Sequence, residues 1–140
     1  MNDGESNSAK ADLLHANERL LDAVSNGDWA SYASLSDDDL SAIEPETRGH
    51  IVQGLKFHKH FFALPREAPI PSQSVISNPV VRMLGRNHGL VAYTRLVQKG
   101  DAVTTVEETR LWERNDVSGQ WKNIHFHVRN EPPLWMSHEC

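Results

Sequence analysis

The sequence of 140 residues contains a single cysteine, Cys140, so no disulfide can form within the chain. Disulfides persist mainly in oxidising compartments, and such a compartment is therefore not indicated. The first residues, MNDGESNSAKAD, are acidic or small and polar, whereas a secretory signal needs a positive start and an apolar run. We expect a cytoplasmic protein.

Long apolar runs and an excess of positive charge are also missing. No segment approaches the about 20 consecutive apolar residues that a membrane-spanning helix needs. Fourteen Lys and Arg residues oppose 19 Asp and Glu residues, which gives a net charge of −5 with neutral histidines. A chain of this charge repels a phosphate backbone at long range. The composition therefore argues against a membrane protein and against a nucleic-acid partner.

Helical periodicity dominates the first part of the chain. Apolar residues recur at helical spacing over residues 10–25, which predicts an amphipathic helix. Gly27 is suited to the end of that helix, and Asp28 is suited to cap a second, short helix that reaches Leu35. A short strand is predicted at residues 40–44.

A third helix is predicted over residues 47–64. It places His58 on an apolar stripe and therefore on its buried side, together with Ile51, Leu55 and Phe62. Further helix is then prevented by three prolines, Pro65, Pro69 and Pro71.

The remainder of the chain has the pattern of strands. Turn residues separate four β-rich segments, SQSVISNPVVRML, GLVAYTRLVQ, AVTTVEETRLWER and QWKNIHFHVR. Pro79 indicates that the first of them lies at a sheet edge or contains a bulge. Helices followed by antiparallel strands predict one α+β domain over residues 10–130, with helices covering a curved sheet and flexible tails at 1–9 and 131–140.

Two arginines lie on strand faces that are otherwise largely apolar. Alternate side chains of a strand share a face, so Arg110 points the same way as Glu108 and Trp112. Arg95 likewise shares a face with Tyr93. Such a face is either solvated, or it lines a cavity in which the guanidinium groups grip an anion.

The chain contains AVSNGDWASYASLSDDDLSAIEPETRGHIVQGLKFHKHFF, SNPVVRMLG, LVAYTRLVQ, EETRLWER and GQWKNIHFH in that order. Together these segments, within about residues 10–129, resemble the association (hub) domain of calcium/calmodulin-dependent protein kinase II. The resemblance implies the cone of the nuclear-transport-factor-2-like superfamily, in which a long helix and a strongly bent sheet enclose a pocket. It also implies self-assembly into dimers that close into rings.

His58, Arg95 and Arg110 match pocket positions of that family. With their neighbours they predict a site for a small carboxylate, made of His58, Tyr93, Arg95, Glu108, Arg110 and Trp112. The alternative is that the arginines are neutralised internally by Glu44, Glu46 or Glu108, because an unpaired buried cation is too costly to persist.

One departure from the family bears on this pocket. The family carries an arginine directly after its His-Phe-His, where this sequence has Val128 and then Arg129. A shift of one residue along a strand reverses the face. Unless a bulge restores it, the pocket loses one positive charge and binds small carboxylates more weakly, or binds different ones.

Nothing in the sequence resembles the glycine-rich loop, catalytic aspartate or metal-binding motif of a kinase. We therefore expect a free-standing oligomerisation domain, which could scaffold a separate protein. A second hypothesis is a small isomerase, dehydratase or cyclase that uses Tyr32, His58, Tyr93 or Glu108 as acid or base. His125 and His127 share a strand face without further metal ligands, and neither a metal nor a cofactor is predicted.

Overall fold

Helices and one mixed sheet make up the part of the chain that the computed structural model describes, residues 2–45, 50–63 and 72–130. The helices are α1 (Asp3–Asn26), α2 (Trp29–Ser34) and α3 (Leu55–Ala63), and the strands are β1 (Ser36–Ile43), β2 (Val52–Gln53), β3 (Ser72–Met83), β4 (His88–Lys99), β5 (Ala102–Arg114) and β6 (Trp121–Asn130). The sheet has the order β2-β1-β6-β5-β4-β3 and is antiparallel except for the pair β1 and β6. The predicted α+β class and mainly antiparallel sheet are confirmed.

Helix α1 begins earlier than the sequence analysis predicts. It starts at Asp3 rather than at residue 10, after Asn2 accepts a hydrogen bond from the Glu5 backbone N–H at 2.8 Å. Ala9 is buried, so the helix packs through part of the segment assigned to a tail. The predicted end is confirmed, because Gly27 adopts the left-handed conformation with φ 65°.

Helix α3 begins later than predicted, at Leu55 instead of residue 47. Val52–Gln53 pairs with β1 as strand β2, and Gly54 has a φ of 106°, a value that a helix cannot include. Ile51 therefore lies outside the helix and is 68% exposed, which corrects its predicted place on the apolar stripe. Strand β1 is also longer than predicted, because it starts at Ser36.

The four predicted strands are confirmed as β3 to β6. Strand β3 lies at the sheet edge, and its register with β4 shifts between Ser77 and Val80, where Asn78 has φ 51°. Pro79 thus occupies both an edge strand and a bulge, the two alternatives that its sequence position allows.

The main core lies between α1 and the inner face of the sheet. Leu13 and Leu20 of α1 are fully buried in one cluster with Val91 and Trp112. Gly89 lies opposite Trp112, and a Cβ at this position would overlap the side chain of Leu13. The close approach of β4 to α1 therefore depends on a residue without a side chain.

Several predictions concern residues outside the described ranges: Glu46, the helix segment at 47–49, the residues Pro65, Pro69 and Pro71, and the tail 131–140 with Cys140. Among the residues that are described, no helix is long and apolar enough to cross a membrane.

Candidate functional site

Strands β4 and β5 bring polar residues of the predicted site together on the inner face of the sheet. Tyr93 lies directly opposite Glu108 in the register of these strands. Tyr93, Glu108 and Arg110 are buried, so this face points into the domain and not to solvent. Buried charges at this position require partners within reach.

Both arginines share the carboxylate of Glu108. Arg95 meets Oε1 through Nη2 at 2.8 Å and through Nε at 3.0 Å, and Arg110 approaches Oε2 through Nε at 3.4 Å. The Tyr93 hydroxyl donates a short hydrogen bond to Oε2. Internal neutralisation by Glu108 is therefore present. One carboxylate serves two guanidinium groups, however, so the trio of Arg95, Glu108 and Arg110 keeps one positive charge.

Burial and neighbouring charge together set the protonation of this cluster. Burial disfavours the ionised carboxylate of Glu108, but Arg110, Arg95 and the hydrogen bonds from Tyr93 and Arg95 outweigh it and lower its pKa from 4.5. Burial also opposes the charge of Arg110, yet Tyr93, Glu108 and Tyr32 raise the pKa of this guanidinium. Burial raises the pKa values of Tyr32 and Tyr93 to about 12. At neutral pH the trio is charged and both tyrosines keep their protons.

A cavity of about 250 Å³ lies beside the trio. Its polar lining comes from Arg95, Glu108, Arg110, Tyr32, Glu44, His58 and Asn130, and its remaining lining from Val24, Pro45, Phe62, Val106, Phe126 and Val128. The side chain of Arg95 is 15% exposed and that of Arg110 only 5%. The more accessible cation therefore belongs to Arg95, and the cavity combines it with an apolar wall and with the carboxylate of Glu44, another of the predicted internal counterions.

His58 lines the same cavity from α3, on the buried side as predicted. Its ring contacts the rings of Tyr32 and Phe126. Nε2 lies 3.4 Å from Oε1 of Glu44, which is long for a hydrogen bond, and neither ring nitrogen has a hydrogen-bond partner among the described residues. A buried polar group in this state is suited to bonding with a ligand or a water molecule in the cavity.

Two residues of the predicted site lie behind the cavity wall. Tyr93 touches the site through Glu108 and through Arg110, whose Nε lies 3.3 Å from its hydroxyl oxygen. Trp112 is fully buried in the core, and its Nε1 donates to Oδ1 of Asn17 at 3.1 Å. Neither residue lines the cavity, because strand alternation defines a face but not how much of that face α1 covers.

Strand β6 contains a bulge that the sequence analysis did not identify. Leu111 of β5 pairs with His125, whereas the next residue, Trp112, pairs with Asn123. Ile124 is therefore an extra residue in β6. The signal for it in the sequence is the odd spacing between two inward aromatic residues, positions 121 and 126.

The bulge lies before the His-Phe-His motif and decides which side chains after it face inward. Phe126 and Val128 line the cavity. Arg129 lies on the outer face, where its Nη1 is 3.8 Å from a carboxylate oxygen of Glu107 and its side chain is largely exposed. The bulge therefore does not restore a third arginine to this cavity, and Val128 extends the apolar wall instead.

Residues 9–132 match the family model described as the calcium/calmodulin-dependent protein kinase II association domain. The chain belongs to this family. The delta subunit of calcium/calmodulin-dependent protein kinase type II from Oryctolagus cuniculus is 36% identical over 138 residues, which cover 94% of this chain and 25% of that subunit. The chain thus spans about a quarter of the length of this relative.

Solved association domains have the same fold. The kinase hub homology domain of Chlamydamonas reinhardtii is 36% identical, with a TM-score of 0.80 and coverage of 89% of this chain and 98% of that one. The association domain of the C. elegans kinase is 30% identical, with a TM-score of 0.81 and coverage of 91% and 98%. A nuclear-transport-factor-2-like protein from Cytophaga hutchinsonii, with a TM-score of 0.69, and a structure described as a ketosteroid isomerase from Parabacteroides distasonis, with a TM-score of 0.68, are each 22% identical and share the fold alone. The predicted cone is confirmed.

The paired histidines of β6 lie outside the cavity of this association domain. Nδ1 of His125 is 2.6 Å from Oγ of Ser41 on the neighbouring strand β1. Burial and the nearby His127 lower the pKa of His125. In the parts of the chain that the structure describes, no group of three or more His, Cys, Asp or Glu side chains could hold a metal ion.

The arrangement is better suited to holding charge than to transferring protons. Both tyrosines have pKa values of about 12, and each oxygen of Glu108 is bonded within the protein. A general base needs a free lone pair within reach of its substrate. These observations give no support to Tyr32, Tyr93 or Glu108 as the acid or base of an isomerase, dehydratase or cyclase, and they leave His58 as the candidate among the four whose ring nitrogens face the cavity without a hydrogen bond to the described residues.

Proposed function

We propose that this association domain assembles with copies of itself and binds a small carboxylate in its cavity. Self-assembly is supported by membership of the association-domain family and by the similarity to solved hub domains. Oligomers of identical chains usually have closed symmetry, with two-fold pairs as the commonest unit. A cytoplasmic location and a separate protein partner stay predictions from the sequence.

Self-assembly predicts a mass above that of one chain in solution. At micromolar concentration, multi-angle light scattering is expected to give at least twice the 15.8 kDa of the chain. As the concentration rises, the measured mass should reach a fixed plateau, because a closed assembly offers no open interface for further copies. A monomer at all concentrations would remove this part of the proposal.

The carboxylate site rests on one observation, the sharing of Glu108 by two arginines. The trio keeps one positive charge beside a cavity, and Arg95 is the more exposed of its two cations. Guanidinium groups bind carboxylates in two-pronged geometry, and low local dielectric strengthens the attraction. His58, whose Nδ1 has no hydrogen-bond partner among the described residues and whose Nε2 faces Glu44 at 3.4 Å, offers a second polar contact. The apolar wall favours a monocarboxylate with a short hydrocarbon chain.

Replacing Arg95 with alanine is expected to weaken the binding of hexanoate by about 10- to 100-fold, as measured by isothermal titration calorimetry. A hydrogen bond to a charged group contributes roughly 1.5–3 kcal/mol, which corresponds to that range in affinity. The uncharged isostere hexanamide should bind poorly to both proteins, because it lacks the charge that Arg95 would meet.

The matched control is Arg129→Ala, which removes the same side chain from the outer face of β6. It should leave the affinity for hexanoate within about twofold, since exposed charges contribute little at physiological salt. Equal losses in the two variants, or equal affinities of the wild type for hexanoate and hexanamide, would contradict the proposed site.

A further inference from the structure

Asn123 uses its entire side-chain amide inside the domain. It is fully buried, on the inner face of β6 opposite Trp112. Nδ2 donates to the backbone carbonyl of Leu111 at 2.7 Å and to that of His125 at 2.8 Å. Oδ1 accepts from Nη1 of Arg110 at 2.9 Å. The orientation of the amide is thereby determined, because a flipped amide would set NH2 against a guanidinium and oxygen against two carbonyls.

The two carbonyls bonded by Nδ2 belong to Leu111 and His125, the cross-strand pair next to the bulge at Ile124. A bulge removes backbone groups from the regular ladder, and buried carbonyls without partners are costly. The Asn123 amide donates to one carbonyl of β5 and to one of β6, and it therefore ties the two strands together beside the bulge. The same bulge turns Phe126 into the cavity. Asn123, which stabilises the bulge, therefore also influences which residues of β6 line the cavity.

The third bond of Asn123 reaches the cation of the site. Arg110 is held at Nε by Glu108 and Tyr93, at Nη1 by Asn123, and on one face by the ring of Phe126, whose centroid is 4.4 Å from Cζ. Contacts on two edges and one face leave the guanidinium a single orientation. Arg110 lines the cavity, whereas Asn123 does not.

We propose that Asn123 is a positioning residue for the anion site, coupling the β6 bulge to the orientation of the Arg110 guanidinium. This inference rests on the proposed carboxylate binding for its functional consequence, but its structural half is independent of any ligand. Asn123 touches no ligand itself and acts through Arg110.

Two substitutions test the bond to Arg110, one of them with a donor for the bulge retained. Asn123→Leu removes every hydrogen bond of the side chain, whereas Asn123→Thr keeps a hydroxyl that can donate to a bulge carbonyl but lacks the amide oxygen that meets Arg110. Both are expected to weaken hexanoate binding by about tenfold, the effect of losing one charge-assisted bond that orients the cation. The matched control is Asn17→Leu, the same change at another fully buried asparagine, which bonds to Trp112 and interacts with Tyr93 but does not contact Arg110.

Titrations of hexanoate and hexanamide, well below the lowest melting temperature, distinguish the outcomes. Loss of hexanoate affinity in both Asn123 variants but not in Asn17→Leu supports the proposal. Unchanged affinity in Asn123→Thr, or an equal loss in Asn17→Leu, overturns it while the carboxylate site stands. If the wild type binds hexanoate no better than hexanamide, the carboxylate site is refuted. The ligand-free crystal structure of Asn123→Thr then tests whether Asn123 orients the Arg110 guanidinium. An Arg110 guanidinium turned from its present plane supports positioning, and an unmoved one overturns it.

Discussion

Replacement of Glu108 with glutamine is expected to lower the free energy of unfolding by about 3–5 kcal/mol, the range for breaking a buried ion pair from one side. The side chains of Glu108 and Arg110 are 1% and 5% exposed, so water cannot replace the lost charge. Glutamine keeps the shape of the side chain but removes the carboxylate charge that both guanidinium groups share. The measurement is urea unfolding at fixed protein concentration, because assembly makes stability depend on concentration.

Glu107→Gln provides the matched control in the adjacent position. Glu107 lies on the outer face, is half-exposed, and has an ion pair of 3.8 Å with Arg129. Its replacement should change the free energy of unfolding by less than about 1 kcal/mol, as is usual for an exposed pair. Similar losses in the two variants would mean that the trio is not held as tightly as its distances indicate.

The pH dependence of stability gives Glu108 a second signature. Its pKa in the folded state lies below the ordinary 4.5, so the unfolded state takes up its proton first as the pH falls. The stabilisation is therefore complete above the unfolded pKa and is lost as the pH falls through the folded one. The stability gap between the wild type and Glu108→Gln should be constant near neutral pH and should narrow in acid, and a gap independent of pH would contradict this assignment.

Replacement of Trp112 with alanine is expected to cost about 3–5 kcal/mol of unfolding free energy, the usual range for deleting a buried large aromatic side chain. Trp112 is fully buried against α1, and its loss also leaves Oδ1 of Asn17 without its donor. Chemical denaturation provides the measurement. Trp112→Phe should lose less, because the ring is partly retained while the hydrogen bond is not.

Trp112→Phe also tests whether Trp112 contacts the ligand, as strand alternation alone predicts. Its position behind the cavity wall predicts that Trp112→Phe keeps the wild-type affinity for hexanoate within about twofold, since no charged contact is removed. Loss of binding in a variant of near-normal stability would return Trp112 to the ligand site.

The arginine-bearing faces were predictable because a strand has a strict period of two residues. That period placed Glu108 with Arg110 on one face of β5 and Tyr93 with Arg95 on one face of β4, but it left open whether these faces were solvated. The stop of α1 at Gly27 and the cap of α2 at Asp28 were equally predictable. The sharing of one carboxylate by two guanidinium groups was left open as one of two alternatives, since side-chain distances across strands are not encoded in alternation. It took the register of β4 on β5 to place Tyr93 opposite Glu108.

The errors have a common physical origin in the backbone. The apolar stripe of the third helix includes Ile51, which predicts a helix that begins before this residue. The positive φ of Gly54 and the pairing of β2 with β1 instead make the helix begin at Leu55. The β6 bulge was missed for the same reason, because a side-chain pattern read at a constant period conceals one extra residue. The sequence analysis therefore gave Asn123 no role, although its side chain bonds both to the strands at the bulge and to Arg110.

The two edge strands of the sheet, β2 and β3, restrict how copies of this domain can associate. Strand β2 has only two residues, and β3 is interrupted by Pro79, which has no N–H to donate, and by the kink at Asn78. Fibrous aggregation requires a long, uninterrupted row of free backbone donors and acceptors. The bulge divides edge strand β3 into shorter segments, which disfavours edge-to-edge pairing of copies. We therefore expect copies to join through side-chain surfaces and growth to stop at a fixed number of chains.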